Sequence, residues 1–210
     1  NSPDGATKTI RADWCVCNIH LTVLTQLDIN VSKPMKQAMA AVPYDTSYKV
    51  GLEFNRRFWE EDEWIYGGLT YTNMPIAQIA YPSENMFKDG SGVLLGAYGF
   101  GATSYKFNTL TPQERINVAL AYGKYIHPQY PKEFRAGTSV VWHRIPWTLG
   151  CYGIWSESSR EQHYDNLCSI DNRIVLTGEH CSHIPAWQEG AILSGIDAAK
   201  RLHKKAKMLG

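Results

Sequence analysis

The chain has 210 residues, of which 44% are hydrophobic and 20% are charged, and its formal net charge is +1. This composition is typical of a globular protein with one large domain or two small ones, and the balanced charge gives no reason to expect nucleic acid or a membrane surface as a partner. No apolar run reaches the ~18 residues that a membrane-spanning helix needs, so no membrane span is predicted.

Strands and helices are predicted in irregular alternation. In chain order, the patterns predict a strand at 10–24, a helix at 33–42, strands at 48–54, 76–81 and 93–98, a helix at 111–125, strands at 138–142 and 174–176, and a closing helix at 185–205. Short alternating or continuous apolar runs indicate the strands, and apolar residues three and four apart indicate the helices. Because strands and helices do not alternate regularly, the sequence favours an α+β (mixed α/β) fold over a doubly wound sheet.

Two of the predicted helices carry distinct signals. Thr111, followed by Pro112 and Glu114, has the spacing of a capping box with proline at the first helical position. The closing helix has lysine and arginine near its end, where the helix dipole favours cations. Its apolar residues recur three and four apart, as on one face of an amphipathic helix: Ala191, Ile192, Gly195, Ile196, Ala199 and Leu202.

The glycine fingerprint of a dinucleotide-binding unit is missing. Such a unit needs a strand, a GxGxxG turn and a helix, with an acidic residue about 20 positions further on. Gly96, Gly99 and Gly101 follow a predicted strand, but their spacing is reversed and no helix with the required acid is predicted after them. We therefore expect a close approach of backbones here, and no adenine dinucleotide held in the usual way by this chain alone.

Cysteine and histidine residues form no recognisable metal or catalytic motif. The five cysteines are irregularly spaced without a CxxC pair, so free thiols are expected. His180, Cys181 and His183 lack further ligands at the spacing of a zinc site. Neither a GxSxG motif nor a Ser–His–Asp set is recognisable, and no metal site is predicted.

Three stretches could carry chemistry, and each has a structural alternative. In 178–191 a strand end is followed by a helix start, whose free N–H groups suit a phosphate or an electron-rich ring carbonyl; the alternative is a simple capping junction. The aromatic, glycine-containing stretch 142–155 could lie against a planar ligand or form a buried turn. Lys49 could be a donor or base if buried, or merely solvated. The acidic run at 60–63 is expected to be solvated.

Four segments, in the same order, resemble flavin amine oxidases and, within them, L-amino-acid oxidases. They are Arg57–Gly68 (RFWEEDEWIYGG), Ile79–Ser83 (IAYPS), Gly92–Gly101 (GVLLGAYGFG) and Val175–Leu202 (VLTGEHCSHIPAWQEGAILSGIDAAKRL). The closing segment is the most specific, and the likeness extends over nearly the whole chain. The resemblance implies the C-terminal portion of a flavin amine oxidase that uses FAD.

On the cofactor side, the resemblance implies contacts from several residues. Trp142 is similar to a tryptophan that packs on the flavin. Gly178-Glu179 matches the turn that contacts the ribityl-phosphate region. Gln188 and Ala191, together with Trp187, lie at the helix start that is expected to face the flavin ring.

On the substrate side, Lys49 resembles the family lysine that holds a water near the reactive flavin nitrogen, and it is the predicted catalytic residue. Tyr152 and Trp187 correspond to two aromatic walls beside the substrate amine, and Ala186 is included in the same site. Tyr81 resembles a tyrosine that binds the substrate carboxylate.

The resemblance also implies a domain organisation and a reaction. Residues 1–40 would be a returning segment of the FAD-binding domain, 41–145 the substrate-binding domain, and 146–210 the C-terminal part of the FAD-binding domain. An N-terminal segment or chain with the FAD fingerprint is the expected partner, and the assembled unit is expected to be a homo-oligomer. The implied reaction converts an L-amino acid and O₂ to a 2-oxo acid, ammonia and hydrogen peroxide.

Several alternatives stay open. An amine or polyamine oxidase, an L-amino-acid 2-monooxygenase and a non-catalytic subunit are each compatible with these motifs. Cys151, in the sequence GCY, resembles the monoamine oxidase cysteine that carries flavin covalently, whereas L-amino-acid oxidases of this kind usually hold FAD without a bond. The sequence leaves the particular amino acid and the compartment, secreted or cytoplasmic, undetermined.

Overall fold

The structure is a computed structural model that describes residue 5 and residues 7–208. The chain divides into two compact units. Unit 1 contains the described residues up to Tyr44 and those from Tyr152 onward, and unit 2 is Asp45–Cys151. Among the described residues, no helix has both the length and the apolar composition needed to cross a bilayer.

The described residues form strands, α-helices and two 3₁₀ turns. The strands are β1 Cys15–Cys17, β2 Tyr44–Asp45, β3 Ser47–Phe54, β4 Gly68–Tyr71, β5 Gln78–Tyr81, β6 Gly92–Phe100, β7 Phe134–Val141, β8 Tyr152–Gly153, β9 Ile170–Asp171 and β10 Ile174–Leu176. The helices are α1 Leu21–Leu24, α2 Lys33–Ala40, α3 Phe58–Glu61, α4 Gly101–Asn108, α5 Pro112–Gly123, α6 Tyr130–Glu133, α7 Glu157–Cys168 and α8 Gln188–Lys207. The 3₁₀ turns are Trp142–Arg144 and Glu179–Cys181.

Unit 1 is built around a small mixed sheet in the order β1-β10-β9. Strand β1 pairs in parallel with β10, which pairs antiparallel with β9. Helices α1, α2 and α7 supply the apolar core around this sheet, which includes Leu21, Met35, Met39, Leu167 and Leu176. The sheet and core together place the end of β10 and the turn after it, where the closing motif begins.

Unit 2 contains an antiparallel sheet in the order β4-β5-β6-β3-β7. Along β3, buried and half-buried residues alternate, with Tyr48, Val50, Leu52 and Phe54 buried and Lys49 on the other face. This is the period of two that a strand with one core face requires. Helices α4 and α5 lie against the sheet, and the shared core contains the buried aromatic residues Phe54, Phe58, Trp59, Phe107 and Tyr130.

Gly96 shows why β6 is rich in glycine. A Cβ atom at Gly96 would lie 2.3 Å from Leu52 Cδ1, so a side chain there would overlap a buried residue of the neighbouring strand. The close contact at Gly96 is with a side chain, whereas a close approach of two backbones was expected. A helix, α4, does follow the strand, but it carries no acidic residue.

The mixed α+β architecture agrees with the prediction, as do several elements. Helix α5 begins with the predicted capping box, in which the Thr111 hydroxyl accepts from the Glu114 N–H at 3.3 Å and the Glu114 carboxylate accepts from the Thr111 N–H at 2.7 Å. Helix α2 and strands β3 and β10 also occur where they were predicted.

One predicted strand was too long, and two of the longer helices were not predicted. The predicted strand at 10–24 is limited to Cys15–Cys17, because the chain turns at His20 into the short helix α1. Helices α4 and α7 were not predicted. Leu167 is the buried residue of α7, so the sequence of this helix does not show apolar residues repeated at helical spacing.

The acidic run at 60–63 is paired rather than simply solvated. Glu60 is buried, and its carboxylate accepts from Arg57 Nε at 2.8 Å. Glu63 accepts from the buried His127 at 2.8 Å. A buried carboxylate needs such partners, and a charge run in a sequence does not disclose them.

Helix α8 presents much of its apolar surface to solvent in this chain. Its buried residues are Gly190, Ser194 and Ala198. By contrast, Ile192, Leu193 and Ile196 are all exposed. The face predicted from the helical period exists, but the described residues of unit 1 do not cover it.

Candidate functional site

The junction between β10 and α8, in unit 1, is organised by one carboxylate. Gly178, two residues after the end of β10, has φ 126°, a conformation that suits glycine, and Glu179 follows it. One Glu179 oxygen accepts from the Gly153 N–H at 2.9 Å and the other from the Ala186 N–H at 2.8 Å. Glu179 thereby joins β8, which contains Tyr152, to the loop before α8.

The start of α8 lacks a side-chain cap from its N-cap residue. Trp187 occupies the N-cap position without making a side-chain cap, and its side chain is 69% exposed. Ala186 adopts a left-handed φ of 67°, rare for a residue with a Cβ, and its N–H is held by Glu179. An uncapped helix start next to an exposed indole fits an electron-rich, planar group such as a flavin ring, because the unpaired N–H groups carry positive potential.

Gly190 brings the preceding loop against the helix. A Cβ atom at this position would lie 2.0 Å from the Ile184 carbonyl oxygen and 2.7 Å from Ser182 Oγ. The loop after the 3₁₀ turn can therefore pass close to the first turn of α8. Gln188 is exposed and Ala191 is half-buried on this turn.

The 3₁₀ turn Glu179–Cys181 contains a buried histidine, His180. His180 Nδ1 is 2.9 Å from the Tyr44 hydroxyl. Burial, together with the nearby His20, lowers the pKa of His180 to about 4, so this imidazole is neutral near pH 7. Within the described part of the chain, His180 Nε2 and His20 Nδ1 are buried without a hydrogen-bond partner.

In unit 2, Lys49 lies on the half-buried face of β3, opposite Tyr98 of β6 in the strand register. Lys49 Nζ is 5.2 Å from the centroid of the Tyr98 ring. Burial raises the pKa of the Tyr98 hydroxyl, so it stays a proton donor at neutral pH. Trp142 is half-buried and begins the 3₁₀ turn after β7, whose Val140 pairs with Lys49.

The Tyr81 hydroxyl is already occupied. Tyr81 is 7% exposed, and its hydroxyl lies 2.6 Å from His127 Nε2 and 2.9 Å from Thr70 Oγ1. His127 Nδ1 donates to the Glu63 carboxylate, so Nε2 is the ring nitrogen that faces the Tyr81 hydroxyl. A substrate carboxylate at Tyr81 would have to replace one of these bonds.

The structure thus places the predicted residues in two groups. Unit 1 holds Tyr152, Ala186, Trp187 and the cofactor residues Gly178, Glu179, Gln188 and Ala191. Unit 2 holds Lys49, Tyr81 and Trp142. Cys151, also in unit 2, is half-buried, and its sulfur accepts from the Ser47 hydroxyl at 3.0 Å.

Sequence reasoning missed Tyr98, His127 and the Tyr44–His180 pair. Tyr98 could have been found from its place in the glycine-rich strand, since glycines beside an aromatic residue leave room for a ligand. The other contacts join residues far apart in the sequence, and no local signal indicates them. Among the described residues, no group of three histidine, cysteine or acidic side chains is arranged to hold a metal ion.

Comparison with known proteins identifies the family. The model of the family described as "Flavin containing amine oxidoreductase" matches residues 2–203. The chain therefore belongs to the flavin-containing amine oxidoreductases, and the predicted flavin cofactor, FAD, is confirmed as the cofactor of its family.

Individual relatives agree with this. The chain is 30% identical over 174 residues to the putative L-amino-acid oxidase YobN of Bacillus subtilis, a match covering 80% of this chain and 35% of the relative. It is 32% identical over 171 residues to an L-amino-acid oxidase of Siganus canaliculatus, covering 80% and 32%. It is 27% identical over 201 residues to the flavin-dependent L-tryptophan oxidase RebO of Lentzea aerocolonigenes, covering 92% and 42%.

A solved structure shares the fold. Cyclohexylamine oxidase from Brevibacterium oxydans superposes with a TM-score of 0.79 at 18% identity, covering 96% of this chain and 45% of that one. The chain thus spans between about a third and a half of the length of these proteins. The likeness agrees with the prediction of a C-terminal portion of a flavin amine oxidase.

Proposed function

We propose that this chain is part of an FAD-dependent oxidase that deaminates an L-amino acid to a 2-oxo acid, with release of ammonia and hydrogen peroxide. The observation that carries the proposal is the junction at which Glu179 ties β8 to the uncapped start of α8. The printed names of the L-amino-acid oxidase relatives support the substrate class.

The domain assignment is part of the proposal. Unit 2 would correspond to the substrate-binding domain, and unit 1 to the returning and C-terminal parts of the FAD-binding domain. The remaining length found in the relatives would supply the glycine fingerprint for the dinucleotide. The exposed apolar residues of α8 support this, because a face of this kind is normally covered in a complete protein.

On the cofactor side, the chain's own residues would orient the flavin. The N–H groups at the start of α8, beside Gln188 and Ala191, would donate to a ring carbonyl, and the Gly178-Glu179 turn would lie at the ribityl-phosphate region. Trp142 would pack on the ring. When bound, FAD would supply the ring that accepts a hydride from the substrate.

On the substrate side, Tyr152 and Trp187 would align the neutral amine, which fixes the geometry before the reaction. Lys49 would hold a water and move a proton through Nζ. Tyr81 was predicted to donate to the substrate carboxylate. Since its hydroxyl is taken by His127 and Thr70, Tyr98 beside Lys49 is the second candidate for this role.

The decisive experiment mixes the complete protein with each L-amino acid in air and follows peroxide release and loss of the oxidised flavin absorbance. Bleaching by at least one L-amino acid, with a 2-oxo acid product, is expected. Unchanged flavin absorbance with all of them contradicts the oxidase proposal. A Lys49→Met variant should keep flavin bound and lose turnover by about a hundredfold, the range of a proton-transfer group.

A matched pair of variants separates the two tyrosines. The residue that binds the carboxylate should raise KM about tenfold when its hydroxyl is removed, because a charge-assisted bond contributes more than ~1.4 kcal/mol. Tyr98→Phe and Tyr81→Phe are compared under the same conditions. A raised KM in Tyr81→Phe alone supports the predicted role of Tyr81, and a raised KM in Tyr98→Phe alone transfers the role to Tyr98.

An amine oxidase acting on substrates without a carboxylate is the second candidate. The fold match to cyclohexylamine oxidase and the occupied hydroxyl of Tyr81 favour it. Primary and secondary amines should then bleach the flavin, and neither tyrosine variant should change KM. An amide product in place of a 2-oxo acid would instead indicate an amino-acid monooxygenase.

A further inference from the structure

Two cysteines in unit 1 line one cavity that the proposed reaction does not use. The cavity has a volume of about 350 Å³, and its lining includes Tyr164, Cys168, Cys181 and Ser194. Cys168 is the last residue of α7, and Cys181 ends the 3₁₀ turn that begins at Glu179. The end of α7 and the 3₁₀ turn thus bring two thiols to one cavity.

The two cysteines belong to elements that contact one another. Helix α7, which ends at Cys168, packs against the 3₁₀ turn that contains Cys181. Cys168 Sγ lies 3.9 Å from the Cys181 carbonyl oxygen, and both residues are free thiols. Disulfide formation between them therefore requires local adjustment rather than a rearrangement of the fold.

The environment makes the pair asymmetric. The hydrogen bonds from Cys181 and Tyr164 and the charge of Arg201 hold the pKa of Cys168 below its ordinary value, against its partial burial. The hydrogen bond with Cys168 and burial raise the pKa of Cys181 well above its ordinary value, and Cys181 is 6% exposed. Cys168 is half-buried on the cavity wall. One thiol is thus suited to attack an oxidant, and the other to react second.

Arg201 holds the first thiol in place from α8. Its guanidinium donates to the Cys168 carbonyl oxygen and, through Nε, to Asp197 at 2.6 Å. A cation anchored beside the sulfur favours the thiolate. It also ties the end of α7 to α8, so that Cys168 faces the cavity in a defined position.

We propose that Cys168 and Cys181 form a peroxide-reactive dithiol site. The Cys168 thiolate attacks one oxygen of hydrogen peroxide, the O–O bond breaks, and hydroxide leaves, giving a sulfenic acid at Cys168. The Cys181 sulfur then attacks the Cys168 sulfur, the S–O bond breaks, the S–S bond forms, and the Cys181 proton leaves with the hydroxide as water. Two thiols are oxidised, and one peroxide is reduced to two waters.

The location of the pair gives this reaction a consequence for the junction. Cys181 belongs to the 3₁₀ turn that contains Glu179, so a disulfide would fasten that turn to the end of α7. The natural source of peroxide would be the proposed oxidase reaction, and to that extent the inference rests on the proposed function. The chemistry at the two sulfurs depends only on the presence of a peroxide.

The test uses the complete protein, reduced and freed of reductant, with hydrogen peroxide added at a few equivalents. After quenching with a thiol-alkylating reagent and digestion without reduction, mass spectrometry should find a peptide pair linked through Cys168 and Cys181. At pH 7.5, Cys168 should react severalfold faster than the exposed Cys15, because the lowered pKa of Cys168 increases its thiolate fraction.

Variants separate the two roles. Cys181→Ser should stop at a Cys168 sulfenic acid, which dimedone traps, and Cys168→Ser should leave Cys181 reduced. Cys15→Ser is the matched control and should form the linked peptide at the wild-type rate. Cys168→Ala serves as a second variant in case the serine at this position impairs folding, which circular dichroism would reveal.

Two results would overturn the inference: oxidation of Cys168 no faster than that of Cys15, or no Cys168–Cys181 linkage in folded wild-type protein. Because the peroxide is added, linkage supports the site even if no amino acid is ever oxidised. Failure of the oxidase proposal is therefore distinguishable from failure of the dithiol site.

Discussion

Replacing Glu179 with alanine should destabilise unit 1 substantially, because one side chain holds two separate backbone groups. Its oxygens accept from the N–H groups of Gly153 and Ala186 at 2.9 and 2.8 Å, and the side chain is 14% exposed. Gly153 is buried, so its N–H would lose its acceptor without access to water, whereas the exposed Ala186 can bond to water.

The magnitude follows from these two environments. A bond to a charged acceptor contributes about 1.5–3 kcal/mol, and a buried donor left unpaired costs about 1–3 kcal/mol. Since water replaces the carboxylate at Ala186, we expect Glu179→Ala to lower the free energy of unfolding by roughly 2–4 kcal/mol. Glu179→Gln keeps one acceptor oxygen and should lose about half as much.

Urea unfolding of the complete protein, followed by tryptophan fluorescence, measures this loss as a shift of the midpoint at constant slope. Glu189→Ala provides the control, because Glu189 is an exposed acidic residue in the first turn of α8 and should cost less than ~1 kcal/mol. If Glu179→Ala were no more destabilising than Glu189→Ala, the bridging role assigned to Glu179 would be wrong.

Three further predictions concern other parts of the fold. The folded-state pKa of His180 is lowered to about 4, so the unfolded chain binds a proton at higher pH than the folded chain does. The free energy of unfolding should therefore fall by on the order of 3 kcal/mol as the pH drops from about 6.5 to 4. Denaturation measured across this pH range should show a flatter profile for His180→Asn. Thr111→Ala should cost ~1 kcal/mol in urea unfolding, whereas Thr111→Ser should retain the cap; equal losses would contradict the capping role. Gly123→Ala would place a Cβ 2.1 Å from the buried ring of Tyr130. Thermal unfolding should therefore show that the free energy of unfolding falls by about 1–3 kcal/mol. A variant more stable than the wild type would contradict this packing.

Local patterns accounted for the elements whose signals lie within a few residues. The alternation along β3 and the Thr111–Glu114 capping box were predictable because a strand face and a helix start depend on adjacent positions. Helix α7 was not predictable in this way. Its buried residue is Leu167, so its sequence lacks the repeated apolar spacing that indicates a helix.

The closing motif could be located from the sequence, but its internal geometry could not. The order of strand, glutamate and helix predicted the junction, and the resemblance identified the family that the comparisons confirm. Which N–H groups Glu179 holds depends on Gly153, 26 positions away in the chain. The predicted roles of the individual site residues remain predictions.

The sequence by itself determined the family, the mixed fold and the position of the junction between β10 and α8, because those depend on residue type and order. The tertiary structure decided which polar groups meet. It placed the Tyr81 hydroxyl against His127, joined Tyr44 to His180, and set Glu179 against the Gly153 N–H. A buried polar group must find a partner, and the partner is selected by packing between elements that are remote in the sequence.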